Sequence, residues 1–116
     1  MLVVSGCGGG TSLRGEITLE GADELSHIPS SRVVVQLRDV SLADASSIEI
    51  ASREYDNVTT LPLEYELEWD EPLSDRNEYS VGARFYDSDG ALIFINDTTF
   101  TVEPGDRRVD FYVIPV

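Results

Sequence analysis

The sequence predicts an all-β fold: an antiparallel β-sandwich of about seven to eight strands, immunoglobulin- or fibronectin-like in character. Three observations lead there. Apolar residues recur with a period of two over most of the chain, turn-forming residues punctuate those runs, and no long helical periodicity interrupts them. A length of 116 residues suits one domain around one core.

The elements follow in order. In LRGEITLE, Leu13, Ile17 and Leu19 share one face while Arg14, Glu16, Thr18 and Glu20 share the other. A pleated strand sorts side chains in this way. Gly21-Ala22-Asp23 and Ser30-Ser31 bound the next strand, RVVVQLR, with Val33, Val35 and Leu37 inward. SLADAS at 41–46 predicts a single helical turn, and SIEIA a short strand around Ile48 and Ile50. LPLEYELEW at 61–69 is the clearest strand. Leu61, Leu63, Tyr65, Leu67 and Trp69 lie on one side, and Pro62, Glu64, Glu66 and Glu68 on the other. A helix would scatter those glutamates around its circumference.

Tyr79 opens YSVGARF directly after the polar stretch Leu73–Glu78. That is the position of a tyrosine corner, in which the phenol bonds upstream backbone. Tyr79, Val81, Ala83 and Phe85 point inward along this strand. Asp87-Ser88-Asp89-Gly90 predicts a tight hairpin, and Pro104-Gly105-Asp106 a second turn. Between them ALIFI (91–95) and TTFTV (98–102) are short strands, joined by a bend or bulge at Asn96-Asp97. RRVDFYV closes the set, with Val109, Phe111 and Val113 inward.

Composition narrows the function. The formal net charge is -14, from 22 acids against 8 bases that are all arginine. Nucleic-acid binding requires Lys/Arg to neutralise phosphates, so that class is excluded. Electrostatic docking on anionic lipid is disfavoured for the same reason. A basic partner fits the charge, as does a well-solvated surface or a salty medium. One cysteine permits no internal disulfide, and no stretch approaches the ~20 apolar residues that span a bilayer.

That cysteine has another use. Val4-Ser5-Gly6-Cys7 has the form of a lipobox, aliphatic, small, small, cysteine, and a glycine run follows at once. Residues 1–6 are then the remnant of a lipoprotein signal, 7–12 a lipidated Cys7 and flexible tether, and 13–116 the β-sandwich domain. Several acyl chains, at ~0.8 kcal/mol per buried methylene, make such an anchor stable. Gly8, not aspartate, after the cysteine favours outer-membrane sorting. The anchor requires a basic and apolar stretch upstream of Met1, because a signal needs ~7–15 apolar residues; otherwise the match is chance.

RVVVQLRDVSLADASSIEIA, LPLEYELEWD and YSVGARFYDSDGALIFINDTTFTV, in that order, resemble the YbaY/YscW-type lipoprotein domain related to type III secretion pilotins. The resemblance runs from about Gly15 to Val113 and is most specific at Leu37–Ala45, then at Gly90–Phe94 and Asn96-Asp97-Thr98. It implies a small β-sandwich lipoprotein of the bacterial envelope. For pilotins it further implies help in assembling an outer-membrane ring protein. It carries over no catalytic residue.

Candidate sites are few. Asp39, Ser41 and Asp44 suit a strand exit, where a side-chain oxygen accepts a backbone N–H; a ligand or cation contact is the alternative. Asn96 and Asp97 divide the same way. Tyr86, Ile93, Ile95, Tyr112 and Ile114 form a partly apolar outer surface on adjacent strands, the candidate partner surface, unless they lie under a loop or between sheets. Trp69 is a core residue or an exposed carbohydrate platform. Asp87-Ser88-Asp89-Gly90 begins like a calcium loop, but Ala91-Leu92-Ile93 supplies no further oxygen ligands. His27 is the only histidine, and no G-x-S-x-G elbow accompanies any serine. The chain is therefore expected to be no enzyme and to use no cofactor or metal. It is expected to be a lipoprotein of the outer membrane, facing the periplasm, that acts on an envelope protein partner. A glycan- or cation-binding module is the alternative.

Overall fold

The computed structural model describes residues 11–22, 25–41, 48–96 and 98–116. Cys7, Asp44, Asp97 and the helical turn expected after Ser41 lie outside the described residues. Every regular element described is a strand: β1 (Ser12–Leu19), β2 (Ser26–Asp39), β3 (Ile48–Leu61), β4 (Leu63–Glu68), β5 (Tyr79–Tyr86), β6 (Leu92–Ile95), β7 (Phe100–Val102) and β8 (Phe111–Pro115). The all-β expectation holds.

The strands form one hydrogen-bonded path, β3-β2-β5-β6-β8-β1-β4, with β7 also pairing β5. β1 and β8 run parallel, Ile17 opposite Phe111 and Leu19 opposite Val113. The other named pairs are antiparallel. The sheet is therefore mixed and continuous, which corrects the expectation of a wholly antiparallel, immunoglobulin-like sandwich. Its two ends, β3 and β4, are consecutive in the chain with Pro62 alone between them. The sheet curls until they meet, as a half-barrel.

Alternation builds the core. Leu13 and Ile17 of β1, Val33, Val35 and Leu37 of β2, Tyr65 and Leu67 of β4, Val81, Ala83 and Phe85 of β5, and Phe111 and Val113 of β8 are all buried. Each large apolar side chain buried this way contributes ~1.5–3 kcal/mol. Aromatic rings lock the layers edge-on: Phe85 against Phe94 with centroids 5.8 Å apart, and Tyr65 against Phe111 at 5.5 Å. The tyrosine corner is present, with the backbone N–H of Ser74 donating to the Tyr79 hydroxyl at 3.0 Å.

Four boundaries differ from the sequence reading. β2 begins at Ser26 and runs through Ser30-Ser31, the pair expected to bound it; irregular pairing with β3 on either side of Ser31 lets the strand continue there. The 61–69 run is two elements, because Pro62 has no N–H to give a ladder and the chain turns there. β3 extends through Ser52–Thr60, where alternation is weak because an end strand is covered incompletely. Residues 107–109 belong to no strand; they lie parallel beside β1 in an isolated bridge, with Arg14 N–H donating to Arg107 O (3.1 Å) and Val109 N–H to Arg14 O (3.0 Å).

Candidate partner-binding surfaces

The strand exit after β2 is a closed hydrogen-bond latch. Asp39 Oδ1 accepts the Ser41 hydroxyl at 2.6 Å and the Ser41 N–H at 2.9 Å, and its Oδ2 accepts Asn77 Nδ2 at 3.0 Å. Ser41 Oγ in turn accepts the N–H of Glu78 at 2.8 Å. The Ser41 hydroxyl, then the Ser41 N–H, hold the Asp39 carboxyl below its usual range. These contacts fasten β2 to the approach of β5 and occupy both oxygens of Asp39.

Asn96 does similar work between β6 and β7. Its Oδ1 accepts Ala83 N–H at 2.9 Å and its Nδ2 donates to Thr98 O at 3.1 Å. This satisfies β5 where its partner changes from β6 to β7. The side chain lies over Gly82, where a Cβ would come within 2.6 Å of Asn96 Oδ1. A groove of about 250 Å³ opens beside it, lined by Gln36, Arg38, Arg84 and Ile95 among others.

The five outer apolar residues are all half-buried. Ile95 and Ile114 are direct cross-strand neighbours on β6 and β8. Tyr112, two residues before Ile114, shares their face and packs edge-on to Phe100 at 5.3 Å. Tyr86 pairs with Leu92, and its ring carries the Arg32 guanidinium 4.9 Å from the centroid. Ile93 packs against the core instead, because the register shifts after Phe85 and turns it inward. The exposed side chains of Leu92 and Val116 border this region.

Trp69 is half-buried against the core, and its indole Nε1 is enclosed without an acceptor among the described residues. Asp87 Oδ1 accepts the N–H groups of Asp89 and Ala91, both at 2.9 Å, and Gly90 takes φ 86°. The acidic loop is thus a turn that uses its own carboxylate. Ser26 and His27 are successive residues of β2, opposite Leu61 and Thr60, so their side chains leave opposite faces. Among the described residues no group of His, Cys, Asp or Glu is arranged to hold a metal.

One region escaped the sequence reading, the seam between β3 and β4. The N–H of Glu66 donates to the Tyr55 hydroxyl at 2.9 Å, and Arg53 Nη1 donates to Glu66 O at 3.4 Å. Arg53 also sits over the Tyr55 ring, 5.4 Å from its centroid. Arg14 pairs with the Glu66 carboxylate at 3.0 Å. Below, Tyr65 donates to Val109 O at 2.6 Å, and burial pushes its phenol well above the usual range. The one signal in the sequence was Pro62, set within an otherwise unbroken strand pattern.

Comparison with known proteins bears on these surfaces. The family model described as "Type III secretion system lipoprotein chaperone (YscW)" matches residues 10–111. Among solved structures, an alternative pilotin from the type II secretion system of Vibrio cholerae is similar at 33% identity and a TM-score of 0.76. The alignment covers 90% of this chain and 96% of that one. No curated protein matches.

Proposed function

This chain belongs to the type III secretion system lipoprotein chaperone (YscW) family, and on that premise we propose that it is a pilotin- or chaperone-like assembly factor of the bacterial envelope. It works by protein–protein contact with a secretion-system protein and catalyses no reaction. Cys7 carries the lipid, residues 7–12 are the tether, and residues from 13 onward form the binding domain at the outer membrane, facing the periplasm. The observation that carries the reading is the family match along nearly the whole chain. The structure adds support: Asp39, Ser41 and Asn96 are consumed in holding the fold. By contrast, Ile95, Tyr112 and Ile114 leave a half-exposed apolar face with no such internal task.

Two experiments test it together. A photo-crosslinking residue at Ile114 should capture an envelope protein in cells, and one at exposed Glu103 should not. Cys7→Ser, introduced into the natural gene and expressed in its own cells, should move the protein from the membrane to the soluble fraction. Equal crosslinking from both positions, or membrane retention of the variant, would sink the corresponding part.

A further inference from the structure

We propose that the seam between β3 and β4 is a strand-addition site. It receives an extended segment of a partner protein along the free edge of β4, with lysine or arginine at the outward alternate positions and apolar residues at the inward ones. The inference rests on the reading of this chain as a protein-contact factor and names the segment it grips.

β3 and β4 are the two ends of the strand path, so among the described residues each has one edge without a neighbouring strand. They fold back on each other around Pro62 but share no ladder. A paired hairpin needs about two or more linking residues, and here there is one, without an N–H. The edge of β4 is capped by side chains instead. The Tyr55 hydroxyl takes the Glu66 N–H, and Arg53 reaches the Glu66 carbonyl at 3.4 Å, the long end of hydrogen-bond range. These two groups stand where the carbonyl and amide of an added strand would bond. Because backbone direction alternates along a strand, the N–H and C=O groups of Glu64 and Glu68 face the same gap. Side-chain caps on an edge protect it from adventitious pairing and, unlike a ladder, can swing away for an incoming strand.

Charge selects the occupant. The outward side chains flanking the gap are Glu64, Glu66 and Glu68 on β4, and Ser52 and Glu54 on β3, which stand opposite Gln36 and Val34 on the outer face of β2. Glu66 is paired with Arg14 and Glu54 with Arg32, so the selecting charges are the exposed Glu64 and Glu68. Opposite charges at cross-strand positions stabilise pairing, and like charges oppose it. The inward neighbours are Tyr55, Tyr65 and Leu67, which favour apolar residues, with Arg53 folded over the Tyr55 ring on the same side. A groove of about 440 Å³, lined by Ser52, Arg53, Glu66, Leu67 and Glu68, opens away from Pro62 and gives entry. A second copy of this chain is a poor occupant, because its own free edges carry Glu54 on β3 and Glu64, Glu66 and Glu68 on β4, on a chain of net charge -14.

The test uses a fluorescent peptide of about eight residues alternating valine and lysine, titrated into the whole chain, beside a peptide of equal composition with the two residue types in blocks. The alternating peptide should bind about tenfold more tightly than the block peptide. It should slow amide exchange at Glu64, Glu66 and Glu68. Glu64→Lys with Glu68→Lys, both exposed positions, should weaken it about tenfold or more while leaving the melting temperature within a few degrees. Tyr55→Phe should tighten it by uncapping the Glu66 amide. Equal binding of both peptides, indifference to the charge reversal, or protection that maps away from β3 and β4 would overturn the proposal. If no peptide binds while Ile114 crosslinks persist, the seam assignment falls and the contact-factor reading stands; if both fail, both fall.

Discussion

A methyl group on Gly15 would come within 1.9 Å of the carbonyl oxygen of Val109. The segment 107–109 runs parallel beside β1 at this point, held by the Arg14–Arg107 and Val109–Arg14 backbone bonds of an isolated bridge. Glycine is required here by close approach. Gly15→Ala should force the adjoining segment away and destabilise the fold by about 3 kcal/mol, in line with overpacked sites that cannot relax. The check is a lower denaturant midpoint at unchanged slope; a wild-type midpoint would refute it.

Tyr79 and Ser74 form the corner that starts β5. Tyr79→Phe keeps the ring and removes the acceptor for the Ser74 N–H. The loss should be about 1–2 kcal/mol, the usual effect of stranding a partly buried donor, measured by chemical denaturation. A neutral substitution would mean that water replaces the phenol without loss.

The Asp39 latch makes stability pH-dependent. Its folded-state pKa lies below the ordinary aspartate value. The carboxylate therefore contributes stability fully above that value, and the contribution disappears as pH falls through the lower, folded-state pKa. Asp39→Asn should flatten the acid limb of the stability curve below about pH 4 and lower the plateau above it. Parallel acid limbs in the two proteins would place the linkage elsewhere.

Asn96 serves two backbone groups at once. Asn96→Ala should cost about 2 kcal/mol, since Ala83 N–H and Thr98 C=O both lose a partner. Faster amide exchange should be concentrated at Ala83, where β5 changes partner. Uniform loss of protection along β5 would point to a general packing defect instead.

Much of this architecture is visible in the residue pattern, for a physical reason. Where a strand has one dry face and one wet face, as at Leu13–Leu19, Val33–Leu37 and Tyr79–Phe85, solvent sorts the side chains and the sorting can be read directly. The same holds for Leu63–Trp69. The pattern does not encode which strand lies beside which, so the parallel β1–β8 pair could not be read from it. Nor does it mark an end strand such as β3, whose Glu54 and Asp56 face water where a central strand would be covered. Tyr55 and Arg53 went unnoticed for the same reason: their role depends on β4 being opposite, a fact of topology. Asp39, Ser41 and Asn96 were recognisable as turn and bend residues because short polar side chains at strand ends have few other uses.

The parallel pair has a mechanical corollary. β1 is held along one side by β4 and, toward its far end, along the other by β8. Tension entering through Thr11 runs along the axis of β1, so it loads both ladders sideways and strains their bonds together, not one after another. A domain tugged from that end resists as a lap joint does.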